Sequence, residues 1–138
     1  MEFISVEEFL KQPHKVQKVL QEWFIEKFET SNEFDLFNYN GEDLCYKNIL
    51  DRNCNFDIED CIPLLTEGQL RKFIEDNTEG KVEFYPDVYH GERYYTIMIR
   101  DSGCGGDDPE FEVDADDVLQ AYWKVAIQIA EQEGKQND

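Results

Sequence analysis

Four carboxylates at two-residue spacing, Glu110, Glu112, Asp114 and Asp116, alternate with Phe111, Val113 and Ala115, and Asp117 closes the row. Between Asp101 and Trp123 there are eight carboxylates and no lysine or arginine. Residues i and i+2 share a face of an extended chain. One face would then be a row of carboxylates about 6–7 Å apart, a spacing set by the strand rise. That spacing approximates the phosphates along a nucleic-acid strand. The chemistry it points to is docking on a basic protein groove, with Asp107 and Asp108 extending the row. The plainer reading is a solvated edge strand, charged to prevent edge-to-edge pairing. Pro109 has no amide hydrogen to give a ladder, so the strand should begin after it or lie at an edge.

A second group has different chemistry. Tyr89, Tyr94 and Tyr95 with Arg93 and Arg100 could stack on a small ligand and neutralise a phosphate, as a signal nucleotide would need. The surrounding negative field opposes it. A third group, Cys45, Cys54 and Cys61 with His14 or His90, holds zinc-type donors. It has no CxxC pair and no finger-like spacing, so small buried hydrophobes are the simpler reading. Paired carboxylates could serve acid–base chemistry or Mg²⁺. No second constellation supports that, so neither an enzyme nor a bound cofactor is expected. Gly105-Gly106 has no lysine and no following helix start, which excludes a P-loop.

Asp plus Glu number 32 against 13 Lys plus Arg, for a net charge of −19. Phosphates repel such a chain, so direct nucleic-acid binding and an anionic membrane are disfavoured. A basic protein partner, or solubility alone, is favoured. The 10 Phe, 7 Tyr and 2 Trp argue for a packed core. No apolar run of about 20 residues offers a membrane span. The start, MEFISVEEFL, carries acids where a signal peptide has positive charge. A cytoplasmic protein is expected.

These residues need elements to hold them. Ser5 to Glu8 reads as a capping box opening a short helix that ends before Pro13. Val16, Val19, Leu20, Trp23, Phe24 and Phe28 then recur at helical spacing over 14–29. The segment 30–60 is the weakest pattern. Asn40-Gly41 suggests a hairpin of 33–39 with 43–47, and 48–60 reads as a surface loop. Thr66-Glu67-Gly68-Gln69 is another capping box, for a helix over 66–77 ended by Thr78-Glu79-Gly80. Strands are expected at 81–85, 94–100 and 110–113, with 86–91 as a hairpin loop and 101–106 as a turn. Asp116 or Asp117 caps a last helix over 116–132, with Val118, Leu119, Tyr122, Val125, Ala126, Ile129 and Ala130 as its stripe and Gly134 as its stop. The sum is a single α+β domain over 1–138. Its three-stranded antiparallel sheet is covered by the helices at 14–29, 66–77 and 116–132.

Three blocks resemble a set of small acidic phage and prophage proteins of Gram-positive bacteria. They are Gln12-Pro13 with Val16-Gln17-Lys18-Val19, then CIPLLTEGQLRKFIED over 61–76, then LQAYWKVA over 119–126. That group has no assigned activity, so the resemblance implies phage origin and fold. The segment 30–60 and the acidic row lie outside the matching blocks. Together these readings lead to a phage-encoded, non-catalytic interaction protein in the host cytoplasm. It would inhibit a basic, nucleic-acid-binding host defence factor by mimicking DNA, as anti-CRISPR proteins do. The alternatives are a small-ligand or signal-nucleotide binder, and a phage accessory protein whose charge gives only solubility.

Overall fold

The computed structural model describes residues 2–28, 36–39, 41–45, 61–89, 92–100 and 109–136. The fold is α+β, with four helices and two three-stranded antiparallel sheets among the described residues. The chain forms two compact units. The N-terminal unit is Phe3–Leu65 with Ala130–Asp138, and the C-terminal unit is Thr66–Ile129 with Met1–Glu2.

The N-terminal unit opens with α1 (Val6–Leu10), capped where Ser5 Oγ accepts the Glu8 amide at 3.2 Å. Pro13 stops that helix and starts α2 (His14–Phe28), and its carbonyl accepts the amides of Val16 and Gln17. Val16, Leu20 and Phe24 are buried along α2, one helical turn apart. The sheet order is β2-β1-β3, from β1 (Leu36–Tyr39), β2 (Glu42–Cys45) and β3 (Cys61–Pro63). The expected hairpin is present, with Tyr39 opposite Glu42 and Gly41 at φ +84°, a conformation that favours glycine. Phe24 meets Phe37 edge-on, with centroids 6.4 Å apart. Gln21 is buried in this core, and its Nε2 donates to the Cys61 carbonyl at 2.7 Å.

The C-terminal unit begins with α3 (Glu67–Thr78), and both halves of its capping box are made. Thr66 Oγ1 accepts the Gln69 amide, and Gln69 Oε1 accepts the Thr66 amide. Leu70, Phe73 and Ile74 form its buried face. The helix ends on Glu79, in the left-handed region at φ 58°, where glycine is the usual occupant. The second sheet runs β4 (Lys81–Tyr89), β5 (Glu92–Arg100), β6 (Glu110–Asp114), with β5 in the middle. Helix α4 (Val118–Gln136) follows, capped where Asp117 Oδ1 accepts the Gln120 amide at 2.9 Å.

Several details depart from the sequence reading. A second sheet exists because Cys61–Pro63 pairs with β1, where the sequence offered no strand. Within the N-terminal unit, helix α2 packs against β3. Strand β4 runs through Pro86 to Tyr89, so the connection to β5 is much shorter than a loop over 86–91. Helix α4 continues past Gly134 to Gln136, since one glycine costs a helix only about 1 kcal/mol. The loop expected over 48–60 and the turn expected over 101–106 lie outside the described residues.

Candidate functional site: the open face of the second sheet

Cross-strand partners share a face of a sheet. Val82 faces Ile99, Ile97 lies between Phe84 and Phe111, and Tyr95 faces Val113. That is the inner face. Val82, Tyr95, Ile97, Ile99 and Val113 are buried. The Phe84 ring stacks on Tyr95 at 5.2 Å and meets Tyr122 of α4 at 5.8 Å. Such aromatic contacts add to burial and lock the helix onto the sheet. Burial raises the Tyr122 hydroxyl above its ordinary pKa, and the nearby Arg71 opposes that only in part.

The opposite face carries Lys81, Glu83 and Tyr85 on β4, Thr96, Met98 and Arg100 on β5, and Glu110, Glu112 and Asp114 on β6. Tyr85 is 46% exposed, and Glu110, Glu112 and Asp114 are exposed. The carboxylate row is therefore real. It lies on strand β6 and points to the side away from the Phe84 stack. Among the described residues, none of the three strand carboxylates is ion-paired to a lysine or arginine. The nearest described cation contact is Lys124 of α4. Its Nζ donates to the main-chain carbonyl of Asp114 and leaves the carboxylate alone.

Across the face, Glu83 works differently. Its Oε2 accepts the Tyr85 hydroxyl and lies 3.0 Å from Arg100 Nε. The tyrosine hydrogen bond and then Arg100 hold the Glu83 carboxyl below its ordinary range. The open face is thus asymmetric. A neutralised Glu83–Arg100–Tyr85 cluster lies on one side, and a row of carboxylates without a cation partner among the described residues lies on the other.

Comparison with protein-family models, with curated proteins and with solved structures finds no match. The reading of the site rests on its own geometry.

The sequence-derived residues fare unequally. Glu110, Glu112 and Asp114 come together as expected. Asp116 is exposed beyond the strand end, in the turn before α4. Asp117 is committed to capping α4, so its carboxylate is already hydrogen-bonded. Asp107 and Asp108 lie outside the described residues.

The small-ligand group is not assembled by what is described. Tyr95 lies on the buried inner face, while Arg100 lies on the open face in contact with Glu83. The side chains of Tyr89, Arg93 and Tyr94 lie outside the described residues. For the cysteines, Cys61 is buried in β3, and burial pushes its thiol up to about 12. A metal ligand needs the thiolate, which that environment opposes. Cys54, His90 and the Cys45 side chain lie outside the described residues. Among the described residues no three His, Cys, Asp or Glu side chains converge to hold a metal, and no helix is long and apolar enough to cross a membrane.

The sequence reading missed that Glu83, Tyr85, Thr96 and Met98 share the face of the carboxylate row. Period-two alternation in Lys81–Tyr85 and Tyr94–Arg100 carries that information.

Proposed function

We propose that this chain is an acidic interaction protein that docks on a basic protein partner, with Glu110, Glu112 and Asp114 occupying a groove built for a phosphate backbone. One observation carries the reading. Three carboxylates at alternate positions stand exposed on a strand whose other face buries Val113, and no described cation pairs with them. Charges fixed on a packed strand lose little entropy when a partner neutralises them, so the row is preorganised for binding. A field of this sign also speeds encounter with a basic groove and weakens as salt rises.

The resemblance to acidic phage proteins makes a host defence factor that binds nucleic acid the partner class of choice, and the host cytoplasm the place of action. On that reading the chain inhibits by occupying the nucleic-acid groove, and it does no chemistry itself. The small-ligand alternative has less support, because Tyr95 and Arg100 project to opposite faces of the sheet.

The test is capture of basic proteins from a bacterial host lysate, with the wild-type chain and with the charge-reversed E110K/E112K/D114K chain as baits. Basic proteins held by the wild type at low salt, released at high salt and not held by the variant are the expected result. A captured partner should also lose its nucleic acid to the wild-type chain.

A further inference from the structure

The two edges of the second sheet are finished differently. Ile99 donates its amide to the Pro109 carbonyl at 2.9 Å. In an antiparallel pair, hydrogen-bonded and non-hydrogen-bonded positions alternate. With the uninterrupted register of β5 and β6, Phe111 and Val113 therefore bond to Ile97 and Tyr95. The N–H and C=O groups of Glu110, Glu112 and Asp114 then point away from β5, along the outer edge. The Lys124 contact agrees, since it finds the Asp114 carbonyl on that side.

The same alternation turns the backbone of Val82, Phe84, Pro86 and Val88 outward along β4. At Val82 that edge is covered. Val82 donates to Glu75 Oε2 at 3.0 Å, and Arg71 Nη2 donates to the Val82 carbonyl at 3.3 Å. Pro86 has no amide hydrogen to leave unpaired. Among the described residues β6 has no equivalent cover beyond Lys124 at its last residue.

The residues with outward backbone groups are also the residues with the carboxylates. A second copy of β6 laid on this edge would set carboxylate against carboxylate, which disfavours self-pairing. A strand with lysine or arginine at every second position would set opposite charges together on the open face. We propose that the β6 edge accepts an extended basic segment of a partner protein as a fourth strand, with Lys or Arg at alternate positions facing Glu110, Glu112 and Asp114. This rests on the reading of the chain as an acidic protein with a basic partner, and it specifies how the partner is held. Main-chain hydrogen bonds supply the attachment, and the charge row supplies the selection. The matching repeat of about 6–7 Å on both strands keeps the pairs in register.

The probe is a labelled peptide of alternating lysine and threonine, compared with an isomer that has its lysines in one block. Binding is followed by fluorescence anisotropy, and amide exchange of the protein is followed residue by residue by NMR. The expected result has three parts. The alternating peptide binds about tenfold or more tighter than the isomer, a difference of about 1.4 kcal/mol. The Glu110 and Glu112 amides, fast to exchange in the free protein, become protected on binding. The variant E110Q/E112Q/D114N loses the preference.

Equal binding of both peptides without amide protection overturns the added strand and leaves a diffuse acidic surface, compatible with the proposed function. Absence of peptide binding overturns it as well, whatever the lysate capture yields. So does a neutralised variant that dimerises while the wild type ignores both peptides, for then the charges serve only to keep copies apart.

Discussion

Gln21 on α2 donates its side-chain amide to the main-chain carbonyl of Cys61 on β3, at 2.7 Å and in the buried core of the N-terminal unit. Strand β3 is three residues long and ends in proline, so it has little ladder of its own. The glutamine ties it to the helix.

Replacing Gln21 with leucine keeps the volume and removes the donor. A buried carbonyl left short of a partner costs about 1–3 kcal/mol. Urea denaturation should show that loss with an unchanged slope against denaturant. An unaltered midpoint would mean that the bond does not hold β3.

The Cys61 thiol makes the unit sensitive to alkali. Burial moves it from 9.0 to about 12, so the folded state keeps it protonated where the unfolded chain ionises. A folded pKa above the unfolded value stabilises below pH 9, and that contribution is lost as pH rises through about 12. Thermal midpoints measured upward from pH 8 should fall more steeply for the wild type than for Cys61→Ala. In the native protein this thiol should also react with alkylating reagents only as fast as the chain opens.

In the C-terminal unit, Tyr122 joins α4 to the sheet through Phe84. Tyr122→Ala should cost about 3–5 kcal/mol, the usual range for a buried aromatic. Tyr122→Phe keeps the ring contact. Since burial raises the hydroxyl's pKa, the wild type should lose stability above pH 10 more steeply than Tyr122→Phe.

The capping box of α3 gives a smaller, cleaner effect. Thr66→Ala removes the side chain that accepts the Gln69 amide and should cost about 0.5–2 kcal/mol, with Thr66→Ser restoring most of it. Equal stability of all three chains would show that the cap is idle.

Much of this architecture was legible in the sequence where a local signal existed. The capping box at Thr66, the turn at Gly41 and the alternation through Glu110–Asp114 are each written in a few adjacent residues. Strand β3 was not legible, because three residues around Pro63 become a strand only through pairing with Phe37 and Tyr39 far along the chain. The same lack hid the second sheet. At the candidate site, strand parity was legible and unused. Tyr95 and Arg100 are an odd number of residues apart and so cannot share a face of one regular strand. Asp117 illustrates the reverse difficulty. The sequence allowed it to be either a cap or a surface charge, and only the Gln120 contact decides for the cap.

The most direct measurement of the central claim is the paired capture with wild-type and E110K/E112K/D114K baits at about 0.05 M and about 0.5 M salt, where the screening length falls from about 14 Å to about 4 Å. Exposed positions tolerate such changes within about 0.5 kcal/mol, so equal unfolding midpoints should accompany the comparison. Basic proteins should be held on the wild-type bait at low salt alone, and none on the variant. Equal recovery on both baits, or retention indifferent to salt, would contradict that claim.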